Sequence, residues 1–198
     1  MVPTSFCLNA APQRWFWFAC LFEAAVGLVA VPVGFWLGVD WVALWDRPGM
    51  REALAGVAIC LPLLALPWGV IHSSWRGFRR IREVLDAQLL PVMSGWTNLQ
   101  LLAISLLAGT AEECLFRGAI QAGLAPSLGA TGGLLVASVL FGLCHAVSRF
   151  YAALAAGMGV VLGLELHLTG SLATPIITHA LYDFLALLYL LRRHRVPA

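Results

Sequence analysis

The chain contains no lysine; all twelve of its basic residues are arginine. Charge of either sign is scarce, at 11% of 198 residues against 61% hydrophobic, where soluble domains carry about 25% charged residues. That shortage excludes an ordinary soluble domain and reads as a single polytopic membrane domain. No basic stripe with interleaved aromatics is present, so no nucleic-acid partner is expected. Close cysteine pairs are also lacking. Cys7, Cys20, Cys60, Cys114 and Cys144 are odd in number and contain no CxxC, which argues against a disulfide framework or a structural zinc site. The HExxH helix of many zinc proteases is absent as well. A cleavable leader is not expected: the apolar stretch 15–38 is too long for an h-region and no small-x-small site follows it.

What is present is a series of apolar runs. Six of them, near 15–38, 53–72, 98–122, 131–148, 150–168 and 171–191, are long enough to span a bilayer, at roughly 17–25 residues each. Turn-rich breaks separate most of them: Asp46-Arg47-Pro48-Gly49, Ala125-Pro126-Ser127-Leu128-Gly129 and Thr169-Gly170-Ser171. The weakest break is Ser148-Arg149. Residues 73–93 differ. Arg76, Arg79, Arg80, Arg82, Glu83 and Asp86 alternate there with Phe78, Ile81, Val84, Leu85 and Leu89. That pattern predicts an amphipathic helix on the headgroups, or else a plain basic loop. The expected fold is therefore an all-α membrane bundle of about six spanning helices with one interfacial helix.

All eight tryptophans precede residue 97, and Trp15, Trp36, Trp41, Trp68, Trp75 and Trp96 fall near helix ends, as interfacial anchors do. The C-terminal half is rich in small residues instead, such as Ala152, Ala153, Gly159 and Gly163, which let membrane helices approach closely. The expectation is one integrated domain with two parts. Residues 1–96 supply anchor helices and the basic interfacial helix; 97–191 form the functional core.

Three polar clusters interrupt that core: Glu112-Glu113-x-x-x-Arg117, Phe141-x-x-x-His145 and His179-x-x-x-Asp183. A charge at the centre of a spanning helix costs roughly 2.5–3.5 kcal/mol, so it is kept only if paired or used. Glu113 and Arg117 are four apart on one helix face and predict a structural ion pair. Glu112 points about 100° away and is left over. Each cluster keeps its pair on one face, so Glu112, His145, His179 and Asp183 can converge on one cavity. Carboxylate beside imidazole is the chemistry of general-base water activation, and a second imidazole can steady an oxyanion. The bland alternative is polar glue between helices. Other polar residues read as structural: Cys144 is misdirected for a Cys-His nucleophile, Ser138 packs, His72 is interfacial, and Glu165 and His167 lie near the end of helix five.

The ordered set EExxxR, FxxxH, HxxxD, together with Leu115-Phe116-Arg117-Gly118 and Thr169-Gly170-Ser171-Leu172, resembles the CPBP family of membrane proteins, also called CAAX-prenyl-endopeptidase-like or abortive-infection proteins. The resemblance covers about 97–191. It implies an intramembrane endopeptidase in which Glu112 and His145 activate water, His179 and Asp183 form the oxyanion side, and Glu113–Arg117 is structural. The substrate would be a membrane-associated or lipidated peptide. Asp183 departs from the asparagine the family also uses: it donates only when protonated, and otherwise would orient His179 or ligate a metal. No cofactor is the preferred expectation, with zinc at Glu112, His145, His179 and Asp183 as the alternative.

The resemblance also allows a non-catalytic scaffold, as in bacteriocin self-immunity, and intramembrane acids allow a proton-relay transporter. The lack of paired broken helices in matching halves argues against the latter. With six spans, arginines concentrate on the side of both termini, which places the termini in the cytoplasm of a bacterial inner membrane. That topology leaves a tension. Counted along the helices, Glu112 falls toward the outer half of helix three and His145 near the inner end of helix four. A shared site then requires either shifted helix boundaries or a segment such as 83–97 dipping into the membrane.

Overall fold

The structure is a computed structural model that describes residues 10–45 and 49–195; Cys7 and the Asp46-Arg47-Pro48 break lie outside them. Ten helices follow: α1 (Ala10–Trp36), α2 (Trp41–Trp45), α3 (Met50–Leu63), α4 (Ala65–His72), α5 (Arg76–Val84), α6 (Leu90–Met93), α7 (Asn98–Glu113), α8 (Gly123–Cys144), α9 (Arg149–Thr169) and α10 (Ala173–Arg195). π-Helical segments, Leu85–Leu89 and Cys114–Ala122, join α5 to α6 and α7 to α8. No strand occurs among the described residues. Five continuous helical stretches are long and apolar enough to cross a membrane: Pro12–Trp36, Met50–His72, Asn98–Cys144, Arg149–Thr169 and Ala173–Arg193. The protein is an integral membrane helix bundle.

The third stretch is 47 residues long, more than twice what a bilayer needs, and it is folded in two. Gly129 adopts φ 73° and ψ 163°, a conformation natural only to glycine. The chain reverses there, and residues 130–144 return along Cys114–Ala122. The fit is tight: a Cβ on Gly133 would stand 2.5 Å from the Gln121 carbonyl oxygen. The returning limb of 15 residues is about 22 Å long at 1.5 Å per residue, short of the roughly 30 Å hydrocarbon core. It therefore ends short of a full bilayer thickness, and His145 caps it. Glu112 and His145 are nearly equidistant from Gly129 along the chain, so the hairpin sets them at one level. The helix boundaries shift from those expected, and Leu85, Leu89 and Met93 of the 83–97 segment line the same cavity.

Local signals explain the remaining boundaries. Thr97 and Gln100 form a reciprocal capping box at the start of α7. Ser148 caps α9 by accepting from the Tyr151 N–H, and Gly170, at φ 69°, ends that helix. The weak break at Ser148 is thus a real cap. In the amphipathic segment Ile81 and Leu90 are buried while Arg76, Arg79 and Arg80 are exposed. Arg82 departs from that basic face: its guanidinium donates to the Val70 and Ile71 carbonyls at the C-terminus of α4, where orphan carbonyls attract a cation.

α1 runs parallel to α7. Pro12 O accepts from Trp96 Nε1 at 2.9 Å, Gln100 donates to Gln13 at 2.8 Å, and a Cβ on Gly27 would rest 3.4 Å from Ala111 Cβ. Trp96 is 2% exposed and sits against Phe16 in a core with Leu90, Leu101, Ile104 and Leu190. It is a packing residue, whereas Trp15, Trp36, Trp68 and Trp75 are exposed as interfacial anchors are. α10 closes the bundle. A Cβ on Gly109 of α7 would lie 2.9 Å from Ala180 N, so only glycine lets the two helices meet this closely. That contact brings His179 against the two glutamates.

Candidate active site

The three clusters meet. Glu113 Oε1 accepts from Arg117 Nη1 at 2.9 Å and from His179 Nδ1 at 2.8 Å. Arg117 Nη2 donates onward to the Gly159 carbonyl at 3.0 Å, tying α9 to the same point. Glu113 and Arg117 are both fully buried. The pair expected from sequence is present, and it does more than neutralise itself, because Glu113 also fixes the His179 ring.

His179 lies between the adjacent acids, with one ring nitrogen toward each. Its Nε2 is 3.9 Å from Glu112 Oε2 and 3.5 Å from Asp183 Oδ2. Glu112 Oε2 is also 3.6 Å from His145 Nε2. That carboxylate oxygen is buried and accepts no hydrogen bond among the described residues. At His145, Nδ1 lies 2.8 Å from the Phe141 carbonyl oxygen. A carbonyl only accepts, so Nδ1 carries the proton, and the neutral ring presents its Nε2 lone pair toward Glu112.

Phe141 organises the cluster as more than a neighbour of His145. Its ring packs against His145 at 4.4 Å and His179 at 5.8 Å between centroids. The Arg117 guanidinium lies 4.6 Å from its centroid on the ring face, a cation–π contact in a desolvated place. The spacing FxxxH therefore supplies one carbonyl acceptor and one aromatic plate from the last turn of α8.

Glu112, His145, His179 and Asp183 share a cavity of about 350 Å³. Most of its wall is apolar, including Leu66 and Val70 of α4, Leu89, Met93, Met158 and Leu187. A second cavity of about 300 Å³ adjoins it at His145 and Tyr151, between residues 81–89 and 144–151. Among the described residues, no group of three His, Cys, Asp or Glu side chains is arranged to hold a metal ion.

One wall residue was not legible as a site residue. Glu23 of α1 lines the same cavity, and its Oε2 is buried without a hydrogen-bond partner among the described residues. The available signal was an acid alone in a 27-residue apolar helix. The residues read as structural stay outside the cavity or serve packing. Ser138 donates to the Leu134 carbonyl, Glu165 accepts from Thr178 at 2.7 Å, and His72 meets Tyr189. His167 is exposed.

Residues 94–185 match the family model described as type II CAAX prenyl endopeptidase Rce1-like. This part of the chain is similar to that family. The matched region is just under half of the sequence and contains all three clusters, whereas α1, α3 and α4 precede it. No curated protein and no solved structure matches the chain.

Proposed function

We propose that the chain is an intramembrane endopeptidase that hydrolyses a peptide bond of a membrane-associated, lipidated substrate. The observation that carries this is the buried Oε2 of Glu112, which makes no hydrogen bond among the described residues and faces the Nε2 atoms of two imidazoles in a largely apolar cavity of the region that matches the Rce1-like model.

The chemistry follows from the proton positions. Water between Glu112 and His145 donates its two protons to the carboxylate and to the His145 lone pair. Glu112 takes one proton as the oxygen attacks the scissile carbonyl. His179 holds one N–H on Glu113 and turns its second ring nitrogen to the cavity. With carboxylates on both sides, the doubly protonated ring has an acceptor for each N–H, and its Nε2–H is the donor for the developing oxyanion. Asp183 orients that ring. The apolar wall takes the lipid portion and keeps bulk water from the site. Exposed Arg76, Arg79 and Arg80 support an orientation with this end of the bundle, and both termini, on the cytoplasmic side of a bacterial inner membrane.

The reading routes no step through a metal; zinc on Glu112, His145, His179 and Asp183 is the competing mechanism. The test is cleavage of a prenylated CAAX-type peptide by the purified chain in detergent, with products identified by mass and zinc content measured. Cleavage that survives chelation supports the reading. Stoichiometric zinc required for turnover replaces the mechanism and keeps the protease. No cleavage of lipidated peptides by the wild type turns the assignment to a scaffold.

A further inference from the structure

We infer that Glu23 is the general acid that protonates the leaving amine, a role that rests on the endopeptidase reading above. Glu23 lies outside the matched region 94–185, on the helix that sequence alone assigns to anchoring. Three observations place it at the reaction. It lines the cavity with Glu112, His145, His179 and Asp183. Its Oε2 is buried and receives no hydrogen bond among the described residues, so that oxygen is placed for a proton rather than for a charge. The parallel packing of α1 on α7 fixes its level: Gly27, one turn further along, meets Ala111, which sets Glu23 beside the turn that leads into Glu112.

Peptide hydrolysis needs a proton at two places. Glu112 takes one from water as the C–O bond forms. When the C–N bond breaks, its electron pair goes to nitrogen, which cannot leave as an amide anion and must be protonated. His145 Nε2 offers a lone pair to water, the His179 Nε2–H serves the oxyanion, and Glu113, held at Oε1 by Arg117 and His179, does not line the cavity. Beside Glu112 and Asp183, which faces His179 at 3.5 Å, Glu23 is the remaining carboxyl that lines the cavity among the described residues. As the carboxylic acid it gives its proton to nitrogen and becomes the carboxylate. The proton held by Glu112 then returns to Glu23, and the enzyme is restored with water consumed and one acid and one amine released.

The test compares two leaving groups. A prenylated CAAX-type peptide and its thioester counterpart are offered to the wild type, Glu23→Gln, Glu23→Asp and Glu112→Gln in detergent. A thiolate leaves without protonation; an amine does not. Glu23→Gln is expected to lose about 10²-fold or more in kcat on the amide, with KM and melting temperature near wild type and a loss at least tenfold smaller on the thioester. Glu23→Asp is expected to regain part of the amide activity. Glu112→Gln is expected to fail on both substrates, because attack by water is needed for each. Equal losses of Glu23→Gln on amide and thioester, or no loss on the amide, would overturn the role while leaving the protease assignment standing. A wild type inactive on both substrates would remove that assignment and the role with it.

Discussion

Glu112 and Glu113 are neighbours in sequence and opposites in setting. Glu113 is fully buried and accepts two short charged hydrogen bonds, at 2.9 Å from Arg117 and 2.8 Å from His179. Glu112 faces the cavity, its nearest nitrogens stand at 3.6 and 3.9 Å, and its Oε2 makes no hydrogen bond among the described residues. One acid is held at charge-assisted hydrogen-bond distance; the other is kept at a spacing that leaves its lone pairs for something else. Each acid keeps a buried Oε2 without a hydrogen bond among the described residues; what separates them is that Glu113 Oε1 is held twice and away from the cavity, while Glu112 lines it. His179 joins the two settings, because the acid that holds its Nδ1 aims the ring whose Nε2 faces the other.

The contrast breaks most sharply at the open side. His145→Ala removes the second acceptor for water and should lower cleavage by about 10²–10⁴-fold, with the melting temperature in detergent unchanged. A variant that loses activity only in proportion to lost fold would erase the distinction between the two sides. On the ion-paired side, Glu113→Ala leaves Arg117 buried without its carboxylate. Breaking such a pair costs about 3–5 kcal/mol, so thermal unfolding should shift well below wild type and yield should fall. A smaller loss is expected for Gly109→Ala: the added Cβ would meet Ala180 N at 2.9 Å and push α10, with His179, away from α7. Activity should then fall more than stability, read as kcat beside melting temperature. The smallest effect is Asp183→Asn, which should stay within a few-fold of wild-type cleavage, because the amide can still hold His179. Loss of bound zinc together with activity in that variant would instead assign Asp183 to a metal.

Much of this arrangement is legible locally. The pairs Glu113–Arg117, Phe141–His145 and His179–Asp183 are each four residues apart on one helix, and each is in contact in the fold. Helical periodicity dictates that much. What periodicity does not carry is which helices meet. The bond from His179 to Glu113 spans 66 residues and depends on Gly109 letting α10 approach α7. The common level of Glu112 and His145 depends on Gly129 reversing a continuous apolar run, a place where sequence gives a turn but not the point of reversal. Glu23 escaped because it belongs to no i, i+4 pair: its neighbours along α1 are apolar, and its polar company comes entirely from other elements. Trp96 escaped for the related reason that a tryptophan at a helix end serves a core as well as it serves an interface.

The division of labour between adjacent glutamates is tested most directly by two isosteric substitutions assayed side by side. Glu112→Gln and Glu113→Gln are purified in the same detergent, and peptide cleavage and unfolding temperature are recorded for each. The account predicts that Glu112→Gln unfolds like the wild type and cleaves nothing, while Glu113→Gln unfolds at a clearly lower temperature and keeps measurable turnover when folded. An active Glu112→Gln protein, or a Glu113→Gln protein as stable as wild type and inactive, would contradict it.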